Sequence, residues 1–265
     1  MNVFIQECKM NLKTTLIWIV VLCGLGGMLM MFYPIIEGDL KDFLVVLDNF
    51  PPAMKAVMGV LTENFSTAFG YYGFALTFTT LFASIHAMNL GVGIISKETR
   101  DKTADFLMTK PISRTGIMHA KLLASLALIA LTAVIYNIIL YLVILSVSNG
   151  DLDVKKYLMI SAAFFSLQII FYSIGLLVSV TARKIKMVLP VSLGLVFFFY
   201  AISAFAVTSE SDKLRYLTPF QYFKTEYIMK NGSFELSYAI TGLVIFMVCI
   251  LASYLWFRKK DVHAV

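Results

Sequence analysis

The stretch of this 265-residue chain with the most varied chemistry runs from residue 97 to residue 114. Charged residues of both signs come first, apolar Phe106, Leu107 and Met108 follow, and Pro111 disfavours helix at the residue before it. This pattern predicts a short helix with a defined end and an apolar ridge, which is typical of a surface that docks a partner. The alternative is a solvated basic loop that only fixes membrane topology.

Catalytic and metal-binding patterns are missing from the sequence. It contains no H-E-x-x-H, no G-x-S-x-G and no clustered Cys and His ligands, so it predicts neither an enzyme nor a metal site. It also lacks G-x-x-x-x-G-K-[ST], the loop that cradles ATP phosphates, so any active work would need energy from another polypeptide. For His86, a neutral, hydrogen-bonded packing residue is favoured over a proton site.

The composition decides the environment of these residues. Hydrophobic residues make up 59% and charged residues 14% of the chain, against about 45–50% and about 25% in soluble domains. The mean hydropathy is +0.82, which indicates a lipid bilayer. A secreted disulfide scaffold, a disordered tail and a soluble enzyme are excluded. The net charge of +6 does not indicate a nucleic-acid partner, because Lys and Arg flank apolar spans rather than forming a basic face.

Six runs are long enough to cross about 30 Å of hydrocarbon as helices. Their continuous apolar character excludes the alternating pattern of a β-barrel. The sequence therefore predicts an all-α integral membrane protein, with residues 1–265 as a single transmembrane domain. The predicted spans are residues 14–36, 70–96, 122–147, 157–181, 187–207 and 236–256.

Orientation follows from the excess of Lys and Arg in cytoplasmic connections. With the N-terminus inside, the inner connections hold 14 of the 22 basic residues and 5 of the 16 acidic residues, and so sum to +9. We therefore expect a multi-pass protein of the plasma (inner) membrane with both termini in the cytoplasm.

Three further segments have predicted roles. Residues 1–13 alternate apolar and polar side chains, as a separate interfacial helix would, and residues 37–69 are expected to include a short amphipathic helix. Residues 208–235 cluster aromatic side chains, which is typical of a re-entrant or interfacial hairpin. Ala83, Ala87 and Gly91 recur every four residues and predict a close packing face, with Ala87 at the contact with a second copy.

Taken together, the chain resembles the permease subunits of ATP-binding-cassette transporters of the ABC-2 type. These carry E-x-x-x-G-T-[LIV]-[ED]-x-L-L-x-x-P-[VI]-[ST]-R after the second span, then a Lys in the third; Lys121 stands in that later position. Lys102 replaces the usual Gly, and Ala104 replaces an aliphatic residue. The residues assigned to the pattern are Glu98, Thr103, Asp105, Phe106, Leu107, Pro111, Ile112, Ser113 and Arg114.

The resemblance extends to residues 217–223 and to the terminal F-R-K-K-D-V of residues 257–262. It implies a permease that pairs with a second, identical or related permease subunit in contact with membrane lipid. A separate ATPase subunit would bind ATP and Mg²⁺, and this chain would hold no cofactor. By the same analogy, residues 97–114 form the coupling helix and residues 208–235 the re-entrant outer hairpin.

Site residues follow from that analogy. The residues expected to couple to the ATPase are Glu98, Arg100, Thr103, Asp105, Phe106, Leu107, Pro111 and Arg114. A second inner contact is assigned to Arg183 and Lys184, for which a role in topology alone is the alternative. The outer hairpin is assigned Pro219, Phe220, Tyr222 and Phe223.

The function implied is ATP-driven export of a hydrophobic or amphipathic compound such as a peptide, a drug or a lipid-like molecule. The alternative is a membrane scaffold or sensor-regulating protein that does not transport and docks a cytoplasmic partner through residues 97–114. An intramembrane enzyme would need nucleophiles or metal ligands that the sequence does not offer. No motif identifies the substrate.

Overall fold

The computed structural model describes residues 3–39, 45–46, 49–51, 54–55, 67–100, 113–148, 152–182, 184–209 and 211–259. These residues contain helices and no strand. In chain order the helices are α1 (Val3–Met31), α2 (Tyr33–Gly38), α3 (Ala68–Arg100), α4 (Arg114–Val147), α5 (Val154–Thr181), α6 (Val188–Thr208), α7 (Asp212–Arg215), the 3₁₀ turn Pro219–Gln221, α8 (Thr225–Asn231) and α9 (Leu236–Lys259).

Six helical stretches are long and apolar enough to cross a membrane. They are α1 with its continuation α2, then α3, α4, α5, α6 and α9, which confirms the predicted all-α protein with six spans.

Local sequence signals mark several of the helix boundaries. Pro34 lies at the start of α2, where its missing N–H explains the turn at Phe32. The side chains of Ser113 and Asp153 cap α4 and α5 by accepting hydrogen bonds from backbone N–H groups.

α3 and α5 run parallel and touch along most of their length. The rings of Tyr72 and Tyr157 lie 5.8 Å apart near one end, and the Ser96 N–H donates to the Ser179 hydroxyl over 2.9 Å near the other. Between them, a Cβ on Gly91 would overlap backbone atoms of α5 and lie 2.9 Å from the Leu176 nitrogen. The two backbones are therefore as close as the glycine allows.

The helix ends form two groups, which we name by their content. The basic end holds the first residue of α1, the last residues of α3, α5 and α9, and the first residues of α4 and α6. The hairpin end holds the opposite ends of these helices and the segment 211–231 that joins α6 to α9. Consecutive spans alternate in direction.

The prediction of a separate interfacial helix over residues 1–13 is wrong. α1 continues without a break for 29 residues, about 44 Å. Glu7, in its second turn, is only 5% exposed and forms ion pairs with other helices. A paired, buried carboxylate holds this segment against the bundle, so it does not form an independent element at the membrane surface. The amphipathic helix expected within residues 37–69 lies mostly outside the described residues.

The small-residue stripe packs inside a single chain. Ala83 and Ala87 are buried, with Ala87 0% exposed, and Gly91 lies against α5. The predicted packing face is therefore present, but the placement of Ala87 at a contact with a second copy is wrong. His86, on the same helix, is buried with its ring 5.7 Å from the ring of Trp18 in α1. Among the described residues its ring nitrogens have no hydrogen-bond partner, so the predicted hydrogen bond is absent there.

Candidate functional site

Four charged side chains from three helices meet at the basic end. Glu7 comes from α1, Lys97 and Glu98 from the last turn of α3, and Lys121 from the second turn of α4. The Lys121 ammonium lies 2.6 Å from a Glu7 oxygen and 2.8 Å from a Glu98 oxygen, and Lys97 pairs with the other Glu7 oxygen. We call these four residues the ion cluster.

Lys121 is the centre of the ion cluster. Its ammonium also donates to the backbone carbonyl of Ile94 over 3.0 Å, so all three of its N–H donors are used. The residue is 1% exposed. A buried ammonium is tolerated only when it is paired and fully hydrogen-bonded, and the geometry meets both conditions. Two carboxylates and two ammonium groups also leave the cluster with no net charge.

The local sequence explains why these side chains converge. Glu7 lies four residues after Val3, one helical turn along α1, and both are buried on the face turned to the bundle. The Asn11 amide donates to the Glu7 backbone carbonyl over 2.9 Å. The Ser113 hydroxyl accepts from the Gly116 N–H over 3.1 Å and fixes where α4 begins. Lys121 is therefore held two turns inside α4, level with the last turn of α3.

The ion cluster lies at the end of α3 and near the start of α4, the two helices that flank residues 101–112 in the sequence. α3 ends at Arg100 and α4 begins at Arg114, so the charged contacts tie both flanks of this connection to each other and to α1. Another link at the same end joins α4 to α9, because the Tyr254 hydroxyl lies 2.8 Å from Nδ1 of His119. These contacts at the basic end therefore join α1, α3, α4 and α9.

Only some of the predicted coupling residues lie within the described part of the structure. Glu98 belongs to the ion cluster, whereas Arg100 and Arg114 are exposed at the ends of α3 and α4. Lys184, predicted for a second inner contact, is exposed at the basic end. The remaining predicted residues lie outside the described ranges, and their roles stay predictions. These are Thr103, Asp105, Phe106, Leu107, Pro111 and Arg183.

Sequence reasoning missed the roles of Glu7 and Lys97. Local patterns place Glu7 in an interfacial helix and Lys97 in a charged loop, whereas in the structure Glu7 pairs with Lys97 and Lys121, 90 and 114 residues away along the chain. One signal was available: Glu7 occupies a position of the N-terminal segment that helical spacing places beside apolar Val3. Among the described residues, no group of three or more His, Cys, Asp or Glu side chains could hold a metal ion.

At the hairpin end, the segment 211–231 packs back onto α5 and α6. The Thr218 hydroxyl donates to the backbone carbonyl of Phe199 over 2.8 Å, nine residues or about 13 Å before the last residue of α6. The Gln221 amide donates to the Ser203 hydroxyl over 2.8 Å. The ring of Phe220 lies 4.8 Å from that of Phe171 in α5. The segment therefore folds back alongside α6 and contacts it well before its last residue.

Two other predicted hairpin residues also have defined partners. The buried Tyr222 hydroxyl donates to the backbone carbonyl of Tyr216 over 2.6 Å, and burial raises the Tyr222 pKa to about 12. The rings of Phe223 and Phe234 meet edge to face at 6.0 Å. Pro219 opens the 3₁₀ turn and is buried. All four predicted hairpin residues therefore lie in or beside one compact turn.

Charged groups anchor the same segment to the start of α9. The Arg215 guanidinium lies 2.7 Å from a Glu235 oxygen and stacks over the Tyr238 ring, 3.9 Å from its centre. Burial and the positive charge of Arg215 lower the pKa of the Lys224 ammonium. One arginine thus links this segment to both an acid and an aromatic ring at the start of α9.

Comparison with known proteins agrees with this architecture. A search of curated proteins gave no match. A family model described as "ABC-2 family transporter protein" matches residues 1–262, nearly the whole chain. The match covers all six spans, the ion cluster and the segment at the hairpin end. This chain therefore belongs to the ABC-2 family of membrane transporter proteins.

Proposed function

We propose that this chain exports a hydrophobic or amphipathic compound as one of two permease subunits, identical or related, driven by a separate ATPase subunit. Family membership supports a role as the membrane component of an ABC transporter. The observation that supports the coupling role is the ion cluster, which ties α1, α3 and α4 together beside residues 101–112. ATP and Mg²⁺ would be bound by the partner ATPase.

In this proposal the basic end lies in the cytoplasm. The excess of Lys and Arg in the connections at that end supports this orientation, and it would bring residues 97–114 to the side of the membrane where ATP is available. Closure of the ATPase would push on residues 101–112. Because Lys121 joins the flanking helices to α1 through charge-assisted hydrogen bonds, a displacement of one of these three helix ends would be passed on to the other two.

The hairpin end would then form the outer part of the pathway. Support comes from the depth at which Thr218 contacts α6 and from the ring contacts of Phe220 with Phe171 and Tyr200. Such a segment can lie at membrane depth only because protein side chains and helices satisfy its backbone and polar groups. We assign it to a re-entrant element that closes the outer side of the permease.

The choice of an apolar or amphipathic cargo rests on the chemistry of the spans. A transporter for ions or charged solutes places Asp, Glu, Lys or Arg near the middle of the membrane. In this sequence the charged residues gather toward the span ends and connections. An apolar pathway selects its cargo by shape and burial, which suits a peptide, a drug or a lipid-like molecule.

The test is capture of a tagged copy from its native membrane, followed by identification of its partners and an ATPase assay. We expect a subunit with G-x-x-x-x-G-K-[ST] to copurify, and we expect replacement of residues 103–107 by Gly and Ser to abolish stimulated hydrolysis. Arg114→Ala should lower stimulated hydrolysis, whereas Lys213→Ala, at an exposed basic residue of the opposite end, should leave it unchanged.

Recovery of the folded chain without an ATPase would contradict the proposal and favour the scaffold function. Equal hydrolysis by the Arg114→Ala and Lys213→Ala proteins would remove Arg114 from the coupling contact. Membrane insertion, measured by protease accessibility of both variants, separates a coupling defect from a folding defect.

A further inference from the structure

A groove of roughly 530 Å³ lies between α4 and α5 in the half of the bundle near the hairpin end. This volume is within the range of about 300–1,000 Å³ that is usual for small-molecule sites. Its floor contains Ala130, Ala133 and Ser161, whose small side chains leave the space open, and buried Tyr157. Its walls are formed by larger, apolar side chains. They include Val134, Ile138 and Leu142 of α4 and Val154, Leu158 and Phe165 of α5.

The groove exists because its two helices have different packing partners. α4 lies along α1, where Gly26 admits the side chains of Tyr136 and Leu140, while α5 lies along α3. Behind the floor, α4 and α5 are held together by the stacked rings of Tyr136 and Phe164, 4.5 Å apart. The Tyr157 hydroxyl also donates to the Asn137 backbone carbonyl over 2.6 Å. The groove is therefore a fixed feature with an open apolar side.

The open side faces the surroundings of the chain. Val134, Ile138, Leu142 and Leu158 are each more than half exposed. In a bilayer this surface meets hydrocarbon. An acyl chain is apolar and narrow enough to lie along such a groove between two helices.

Two lysines lie beside one end of the groove, at the start of α5. α5 begins at Val154, a wall residue, and Lys155 and Lys156 follow in its first turn. Lys155 is exposed, and the Lys156 ammonium lies 3.6 Å from Asp153 at a partly exposed site, where an ion pair contributes little. Basic side chains at the end of a membrane-spanning helix lie at the depth of the lipid phosphates.

We propose that this groove binds one acyl chain of a membrane phospholipid whose phosphate lies against Lys155 and Lys156. The inference rests on the membrane-spanning fold and not on the proposed transport function. Charge also argues against a second copy as the occupant. A two-fold contact places the same surface of each subunit against the other, and would bring both lysine pairs close together at one membrane depth.

The test uses the full chain in vesicles containing phosphatidylglycerol with a photoreactive group on one acyl chain. We expect cross-links to concentrate on residues 130–142 and 154–165 rather than on the equally exposed face of α9 around Leu243. Ser161→Phe should fill the floor and lower labelling several-fold. Leu243→Phe, the matched control on α9, should leave labelling of the groove unchanged.

The lysines provide an independent measurement that does not alter the groove. Lys155→Gln and Lys156→Gln should each lower retention of phosphatidylglycerol about fivefold in native mass spectrometry, because one basic residue near an anionic surface contributes about 1 kcal/mol. Equal labelling of the groove and the α9 face, or retention unchanged by both substitutions, would overturn the proposal. Disulfide dimers formed by Ser161→Cys but not by Leu243→Cys would instead make the groove an interface between copies, and would also overturn it.

Discussion

Replacement of Lys121 by Met gives the sharpest test of the ion cluster. The side chain is 1% exposed and donates to Glu7, Glu98 and the Ile94 carbonyl. Met has a similar length and fills the same space without charge, so the change removes the ammonium and little else. Two carboxylates then remain with one ammonium group fewer in a buried site.

The expected cost follows from the burial of the group. Removing one partner of a buried ion pair destabilises a protein by about 3–5 kcal/mol, because the remaining charge is left uncompensated. This corresponds to a change of roughly two to four powers of ten in the unfolding equilibrium. Lys156→Met is the matched control, since its pair with Asp153 spans 3.6 Å and is partly exposed. Such exposed pairs contribute about 0–1 kcal/mol.

The measurement is reversible unfolding of the detergent-solubilised protein in mixed micelles, followed by circular dichroism. Adding Glu7→Gln to Lys121→Met should recover part of the loss, because the amide no longer needs a cation. Their coupling energy is expected at about 0.5–3 kcal/mol. A Lys121→Met protein as stable as Lys156→Met, with additive effects in the double variant, would refute the claim that the cluster holds the three helices.

Three other predictions concern different parts of the bundle. Gly91→Ala should cost more than 1 kcal/mol in the same unfolding assay because the new Cβ overlaps the backbone of α5, whereas Gly194→Ala, with nothing within 4 Å, should be neutral or stabilising. Ala87→Arg should lower membrane insertion by about 2.5–3.5 kcal/mol, measured by glycosylation mapping, because the site is fully buried within a span. Tyr222 has a pKa raised from about 10 to about 12, so its contribution to stability is complete below pH 10 and is lost as the pH rises toward 12. Tyr222→Phe should remove that part of the alkaline loss, and should also cost about 1–3 kcal/mol at neutral pH because the Tyr216 carbonyl loses its donor.

The six spans could be predicted because a bilayer requires long apolar helices, and composition alone reveals them. The observed helix boundaries differ from the predicted span boundaries for a physical reason. α3 extends to Arg100 and α4 starts at Arg114, several residues beyond the predicted apolar runs. Hydropathy ends a span at the first charges, whereas Lys97 and Lys121 find partners inside the protein and let the helices continue.

The candidate site was only half predictable. Glu98 and Lys121 were identified by their resemblance to a family pattern, and they do form an ion pair. The partners of Glu7 could not be predicted from the sequence. The acid and its two lysines lie on three different helices, and local residue spacing does not show how these helices pack against each other. The same limit explains the wrong placement of Ala87. Its small side chain predicts a close helix contact, but not whether the contacting helix belongs to the same chain or to a second copy.

The two kinds of helix contact in this bundle have different mechanical consequences for the proposed coupling. The Gly91 and Gly175 contacts place backbone against backbone, with a Cβ on Gly175 only 2.7 Å from the Met88 carbonyl oxygen, so α3 and α5 cannot slide or rotate without a clash. The ion cluster instead joins α3 to α1 and α4 through long side chains, which can keep their pairs while the helix ends shift by small amounts. In the proposed coupling, a push on residues 101–112 would therefore move α3 and α5 as one body, and α1 and α4 would adjust. Stiffening that joint should then impair turnover: a cross-link between positions 7 and 121 that preserves folding should lower stimulated ATP hydrolysis, whereas a cross-link within the α3–α5 pair should not. Equal losses from both cross-links would show that the two contacts do not differ in this way.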